Sequence, residues 1–217
     1  MERRSALKKI GLSFGYAVAA PTLLSVLQSC ESKAAYADWT PAFFEKEKGY
    51  ALAQTLDVIL PKTDTPSATE LNVHVFIDSF MKEVMPEEQQ NLVKKNMDAF
   101  FNKVKADADL ESLMDVKAEH ITPLLDTYLK KRDDETEKMH SESISNYMQA
   151  IMAGGEADLD EDISRFSFAN DVRDLATWAY KNTEFIGEEV LAYSSIPGEY
   201  IACGDAQELT QGKAWSL

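Results

Sequence analysis

The chain has 217 residues, enough for one substantial core, and its 45% hydrophobic and 27% charged residues are ordinary globular usage, which excludes a disordered acidic tail. Glycine is scarce at 9 and proline stands at 7, so few breakers interrupt stretches rich in Leu, Ala, Glu and Lys, the composition of helices. The formal net charge is −15, and −18 without the first 30 residues; such a surface repels phosphate backbones and argues against nucleic acid as a partner.

Residues 1–30 read as an address. Arg3, Arg4, Lys8 and Lys9 precede twenty uncharged residues, Ile10 to Ser29, the layout of an export signal. Arg3-Arg4 with Leu7 and Lys8 downstream resembles the twin-arginine motif, with Ala6 where a bulkier apolar residue is usual. Ser13, Gly15, Tyr16, Pro21, Thr22 and Ser25 dilute the apolar stretch, unlike a span meant to stay in hydrocarbon. Leu27-Gln28-Ser29-Cys30 resembles a lipobox, whose cysteine is acylated and becomes the new N-terminus. An uncleaved membrane helix and a protein released after cleavage are the rival readings. The expectation is a lipoprotein exported by the twin-arginine route and anchored on the periplasmic side.

Residues 31–39 form a tether, and residues 40–217 a helical domain. Thr40-Pro41 has the form of a helix start, and Leu52, Leu56, Ile59 and Leu60 share one helical face before Pro61. The loop Pro61 to Pro66 is polar and turn-forming, and Ser67 with Glu70 forms a capping box. A second face carries Val73, Ile77, Phe80 and Val84. After Pro86 a third carries Val93, Met97, Phe100, Phe101 and Val104. Ile121, Leu124, Leu125, Tyr128 and Leu129 mark a fourth helix; Ile144, Tyr147, Met148 and Ile151 mark a fifth, ended by Gly154-Gly155. The last long helix carries Phe168, Val172, Leu175, Ala176 and Ala179 and is expected to run past Phe185 and Ile186, with Gly187 as a kink. From Ser194 onward the chain reads as irregular. The fold class is all-α: a single loose helical bundle of about six helices with an irregular C-terminal tail.

Chemical motifs are sparse. The sequence has no G-x-G-x-x-G, P-loop, C-x-x-C-H, H-E-x-x-H or G-x-S-x-G. Glu137-x-x-His140 matches half of a di-iron ligand set, but His74 and His120 supply no second pair, so His140 reads as a surface residue on a charged helix. Asp158 to Asp162 imitates an EF-hand start, yet Ile163 and Ala169 stand where Gly and Glu are needed. The stretch reads instead as an acidic cap on the next helix. Three histidines, none with a partner recognisable from the sequence, give no catalytic constellation, so no catalytic, cofactor-binding or metal residue is assigned. Cys203 reads as a buried small hydrophobe, with a disulfide to Cys30 as the rival.

Three segments resemble a known family. They are Leu56-Asp57-Val58-Ile59-Leu60-Pro61-Lys62-Thr63-Asp64-Thr65-Pro66-Ser67-Ala68, its sequel Val73-His74-Val75-Phe76-Ile77-Asp78, and Ile196-Pro197-Gly198-Glu199-Tyr200-Ile201-Ala202-Cys203. Together with Phe185-Ile186-Gly187 before Glu188-Glu189-Val190-Leu191 they resemble the gluconate 2-dehydrogenase subunit 3 family, from about Thr40 to Gly204. His74 stands where proline is more familiar, Ser67 where glycine is, and the stretch 107–161 is longer and more charged.

The resemblance implies a non-catalytic small subunit that helps a partner mature, leave the cell and associate with the membrane. That partner is a glucose-methanol-choline-type large subunit, which carries FAD and oxidises a sugar or sugar acid; a cytochrome c with haem c takes the electrons. Glucoside 3-dehydrogenases are another system for such a subunit. The alternative is a stand-alone helical envelope lipoprotein with a structural or carbohydrate-handling role. The family-like loop residues Asp64, Thr65 and Pro66 and the tail residues Pro197, Gly198 and Tyr200 lack core periodicity and are the expected partner-binding positions.

Overall fold

The computed structural model describes residues 36, 38–194, 196, 198, 201 and 203–216. The chain divides after Trp39, and the helical unit begins at Thr40. Its long helices are α1 (Lys46–Ile59), α2 (Val73–Glu83), α3 (Glu87–Ala108), α4 (Ala118–Tyr128), α5 (Asp134–Met152) and α6 (Glu161–Lys181). A 3-10 turn, Leu113–Asp115, precedes α4; a π-helical turn, Phe185–Val190, follows α6; and α7 is the short Ala206–Thr210. Among the described residues there is no strand, only an isolated parallel bridge between Ala192 and Trp215. The all-α class and six main helices agree with the sequence reading.

The core forms where α6 lies against α3, the most extensive helix pair of the bundle. Phe100 and Phe101 of α3 meet Phe168 of α6 with ring centroids 4.9 and 5.3 Å apart, in tilted and edge-on geometries that suit aromatic quadrupoles. α6 also touches α1, α2 and α4. Being central, it buries small residues on several sides: Ser164, Ser167, Ala169, Ala176 and Ala179 let neighbouring backbones approach. Leu52 and Leu56 of α1 and Ile121 and Leu125 of α4 complete the same cluster.

Four expectations need correction. Thr40-Pro41 does not start α1. The backbone N–H groups of Ala42, Phe43 and Phe44 instead donate to the Asp78 carboxylate on α2, at 2.6, 3.0 and 3.1 Å, and this distant acceptor holds the entry segment out of helix until Lys46. Second, α2 is turned relative to its predicted face: Val73, Ile77 and Met81 are buried with His74 and Asp78, while Phe80 is half-buried and Val84 exposed. Third, α6 stops at Lys181, where the Asn182 N–H is shared between the carbonyls of Trp178 and Ala179, both at 3.2 Å. Gly187 lies in the separate π-helical turn, where an added Cβ would stand 3.1 Å from Ser216 Oγ. Fourth, the tail is not wholly irregular. Asp205 caps α7 by accepting from the N–H groups of Gln207 (2.7 Å) and Glu208 (3.3 Å), and Ala192 exchanges 2.8 Å bonds with Ala214 and Ser216.

Ser67 and Glu70 make the bonds of a capping box on a turn and not at a helix start, since α2 begins at Val73 with Asn72 as its N-cap. Ser67 and Glu70 bond reciprocally: the Ser67 N–H donates to Glu70 at 2.9 Å, and the Glu70 N–H to Ser67 Oγ at 3.4 Å. The turn they close runs on to Asn72, in the left-handed region at φ 57°, before α2 begins. Gly154, at φ 75°, ends α5 in a conformation open to glycine at little cost. Asp160 caps α6, accepting from the N–H groups of Asp162 (2.8 Å) and Ile163 (3.3 Å), as the acidic stretch before it suggests.

Candidate partner-docking face

The family-like loop is built onto α6. Tyr180 donates its hydroxyl hydrogen to the Pro66 carbonyl oxygen at 2.7 Å, and the same hydroxyl lies 2.9 Å from Thr65 Oγ1. The Thr63 N–H donates to the Thr65 carbonyl oxygen at 3.0 Å, closing the turn. On the side of α1, Asp57 accepts from Thr69 N–H (2.9 Å) and Thr69 Oγ1 (2.6 Å). Thr65 and Pro66 are therefore half-buried and tied to the bundle, whereas Asp64 at the tip is exposed. The tail brings Gly198 into the described residues; Pro197 and Tyr200 lie outside them, as do Arg3, Arg4 and Cys30. Cys203 is exposed with a free thiol, which corrects the reading of a buried hydrophobe.

Beside this loop α2 and α6 expose an aromatic cluster. Phe76 is 42% exposed and Trp178 44%. Their ring centroids are 5.5 Å apart, and Phe80 lies 5.9 Å from each. Val75, Val84 and Phe185 are also exposed. Clustered aromatic rings in water mark interaction surfaces more than folding needs, since tryptophan and its neighbours supply large contact area at small entropic cost. Periodicity alone did not single out this face. Phe76 and Phe80 stand four residues apart on the side of α2 that the correct helix phase turns outward, so the signal existed once that phase was known.

An open cleft of about 410 Å³ is walled by Met81 of α2, Met85 just after it, Leu92 and Val93 of α3, Met148 of α5 and Leu175 of α6. Asn96, Asp171 and Asp174 add polar groups to its lining. Asp171 keeps solvent access, yet the packing around it and the neighbouring Asp174 carboxylate raise its pKa to about 6.

The near-miss motifs resolve differently from one another. His140 is not on the surface: it is 5% exposed, its ring nitrogens 3.2 and 3.3 Å from Arg132 Nη1, and its ring edge-on to Phe166. Burial, then the Arg132 charge, lowers its pKa, so the ring is neutral packing between α5 and α6. Asp158 accepts from Lys95 Nζ at 2.9 Å instead of opening an ion loop. Among the described residues no group of three or more His, Cys, Asp or Glu is placed to hold a metal ion, and no helix is long and apolar enough to cross a membrane.

A family model described as gluconate 2-dehydrogenase subunit 3 matches residues 46–198, from the first residue of α1 through the glycine of the tail. The chain belongs to the gluconate 2-dehydrogenase subunit 3 family. The match takes in α1 to α6, the Tyr180-tethered loop and the aromatic cluster, so the features that distinguish this bundle fall inside the part shared with the gluconate 2-dehydrogenase subunit 3 family. No curated protein and no solved structure matches the chain.

Proposed function

We propose that this chain is the non-catalytic small subunit of a membrane-associated dehydrogenase acting on a sugar or sugar acid, and that it works by binding. In this reading the large subunit is of the glucose-methanol-choline type and carries the FAD, and a cytochrome c with haem c accepts the electrons. The small subunit escorts the flavoprotein through the twin-arginine route, read from Arg3-Arg4, which passes cargo already folded around its cofactor. Acylation at Cys30 then holds the pair to the membrane on the periplasmic side; several acyl chains anchor stably where one is marginal. The family match over residues 46–198 carries the reading. The exposed aromatic face of α2 and α6 supports it, because a subunit that acts by binding needs such a surface. Asp64 at the loop tip is the proposed polar contact beside that face, with Thr65 and Pro66 holding the tip in place, and Pro197, Gly198 and Tyr200 are the proposed contacts from the tail.

The test is a pull-down of the tagged full chain from native membranes, with the co-purifying chains identified. A flavin-containing dehydrogenase subunit in near-equal amount is expected. Recovery of the tagged chain alone, from membranes that contain such a dehydrogenase, would overturn the proposal.

A further inference from the structure

The cleft between α2, α3, α5 and α6 has a chemistry of its own. Three methionines line it, and their unbranched, polarisable side chains adapt to whatever apolar group enters. Its polar lining is the amides of Gln89 and Asn96 and the carboxylates of Asp171 and Asp174. Asn96 is 2% exposed, and its Oδ1 is buried with no hydrogen-bond partner. Asp171 forms no ion pair among the described residues. Among the described residues Asp174 is met by its chain neighbour Arg173, whose Nε donates at 2.8 Å. No cationic side chain lines the cleft. An anion would therefore be repelled, and a purely apolar group would leave these acceptors unpaired. Both needs are met by a large apolar side chain with an N–H-bearing cation beside it.

We infer that this cleft is the anchor pocket for the dehydrogenase partner, and that it takes from that partner a segment in which a bulky apolar residue stands next to a lysine or arginine. The inference rests on the accessory-subunit reading and names the place on this chain where that binding is centred. Position supports it. Leu175 in the cleft and Trp178 in the aromatic cluster are three residues apart on α6, neighbours on one side of that helix. Charge supports it too. A chain of net charge −15 attracts a basic partner surface and disfavours a second copy of itself at the same place.

The experiment measures bound flavin recovered per mole of tagged full chain from native membranes, for wild type and for variants first checked for unchanged helicity and melting temperature. Asp171→Lys should lower the recovered flavin at least about tenfold, by replacing attraction with repulsion, and Asp171→Asn about threefold, the range of a solvent-exposed charge contact. Glu119→Lys, on α4 away from the cleft, should recover as much as wild type. If folded Asp171→Lys captures flavin as well as wild type does, the pocket is not the anchor, while the accessory-subunit reading stands. If Asp171→Lys fails to fold, undiminished recovery by Asp171→Asn overturns the inference in its place. If wild type captures no flavin at all, the accessory-subunit reading fails and takes this one with it. Capture of an untagged copy of the same chain, lost in Asp171→Lys, would assign the pocket to self-association and overturn the choice of partner.

Discussion

Asp78 shows what one side chain can decide. It is buried on α2, and its two oxygens accept three backbone N–H groups from a segment some thirty-five residues earlier. Replacement by alanine leaves three donors without a partner. Asp78→Ala should therefore cost on the order of 3 kcal/mol, and Asp78→Asn, which keeps one carbonyl acceptor, about half of that. Urea denaturation checks this: the midpoint should fall in that order with the slope unchanged. Asp171 carries a pH signature. Its folded pKa of about 6 lies above the free carboxyl value of 3.8, so folding favours the protonated form. That contribution is complete below about pH 4 and is lost as pH rises through 6. Asp171→Asn removes the titration and should be more stable than wild type at pH 7 by about 1 kcal/mol, after discounting for the solvent access of the carboxylate, with the two converging at pH 4. Melting temperatures at the two pH values decide it. A constant difference between them would mean that Asp171 does not titrate as its surroundings dictate. Burial lowers the pKa of His74, so it works in the other direction: its neutral form stabilises the fold above about pH 6.5, and that support is lost on acidification.

Among the elements, α5 differs from the rest. Its 19 residues bury only His140 fully, and Ile144, Tyr147, Met148 and Ile151 remain half-buried. By contrast α3 and α6 share the aromatic centre of the core. A helix with little buried apolar area opens without unfolding its neighbours. Backbone amides in the middle of α5 should exchange with solvent at least about tenfold faster than those of α3 and α6 at neutral pH, measured by hydrogen exchange with mass spectrometry. Equal protection would show that α5 unfolds only with the whole bundle. Helix interiors were legible in the sequence because the apolar spacing that marks them is local: the faces of α1, α3 and α4 were read correctly from Leu52 and Leu56, from Met97 to Val104, and from Ile121 and Leu125. Several element boundaries and the phase of α2 were not, because their causes lie far away along the chain. Thr40-Pro41 has every local mark of a helix start and loses to Asp78. Phe80 and Val84 satisfy a helical stripe as well as Met81 does, and nothing nearby shows which stripe α6 will cover.

At the scale of the whole molecule, the proposed export and anchoring depend on residues ahead of the bundle. Arg3→Lys with Arg4→Lys should leave precursor in the cytoplasm, seen by cell fractionation, and Cys30→Ala should abolish incorporation of a fatty-acid analogue. Normal export of the first variant sinks the twin-arginine assignment, and undiminished labelling of the second rules out Cys30 as the attachment site. The bundle's class, its six main helices, its acidic surface and its family could be read from composition, spacing and a few loop residues, since each is a property of the chain taken in short stretches or as a sum. The aromatic face and the cleft could not. Phe76, Phe80 and Trp178, or Met81, Asn96 and Asp171, are separated by up to a hundred residues and meet because α2, α3 and α6 pack in one particular phase. Tyr180 holds the family-like loop for the same reason, and His140 turns inward because Arg132 and Phe166 close over it. Which side chains stay in water, and which acceptors stay unpaired, follows from how the helices cover one another, and that covering is a long-range outcome of packing.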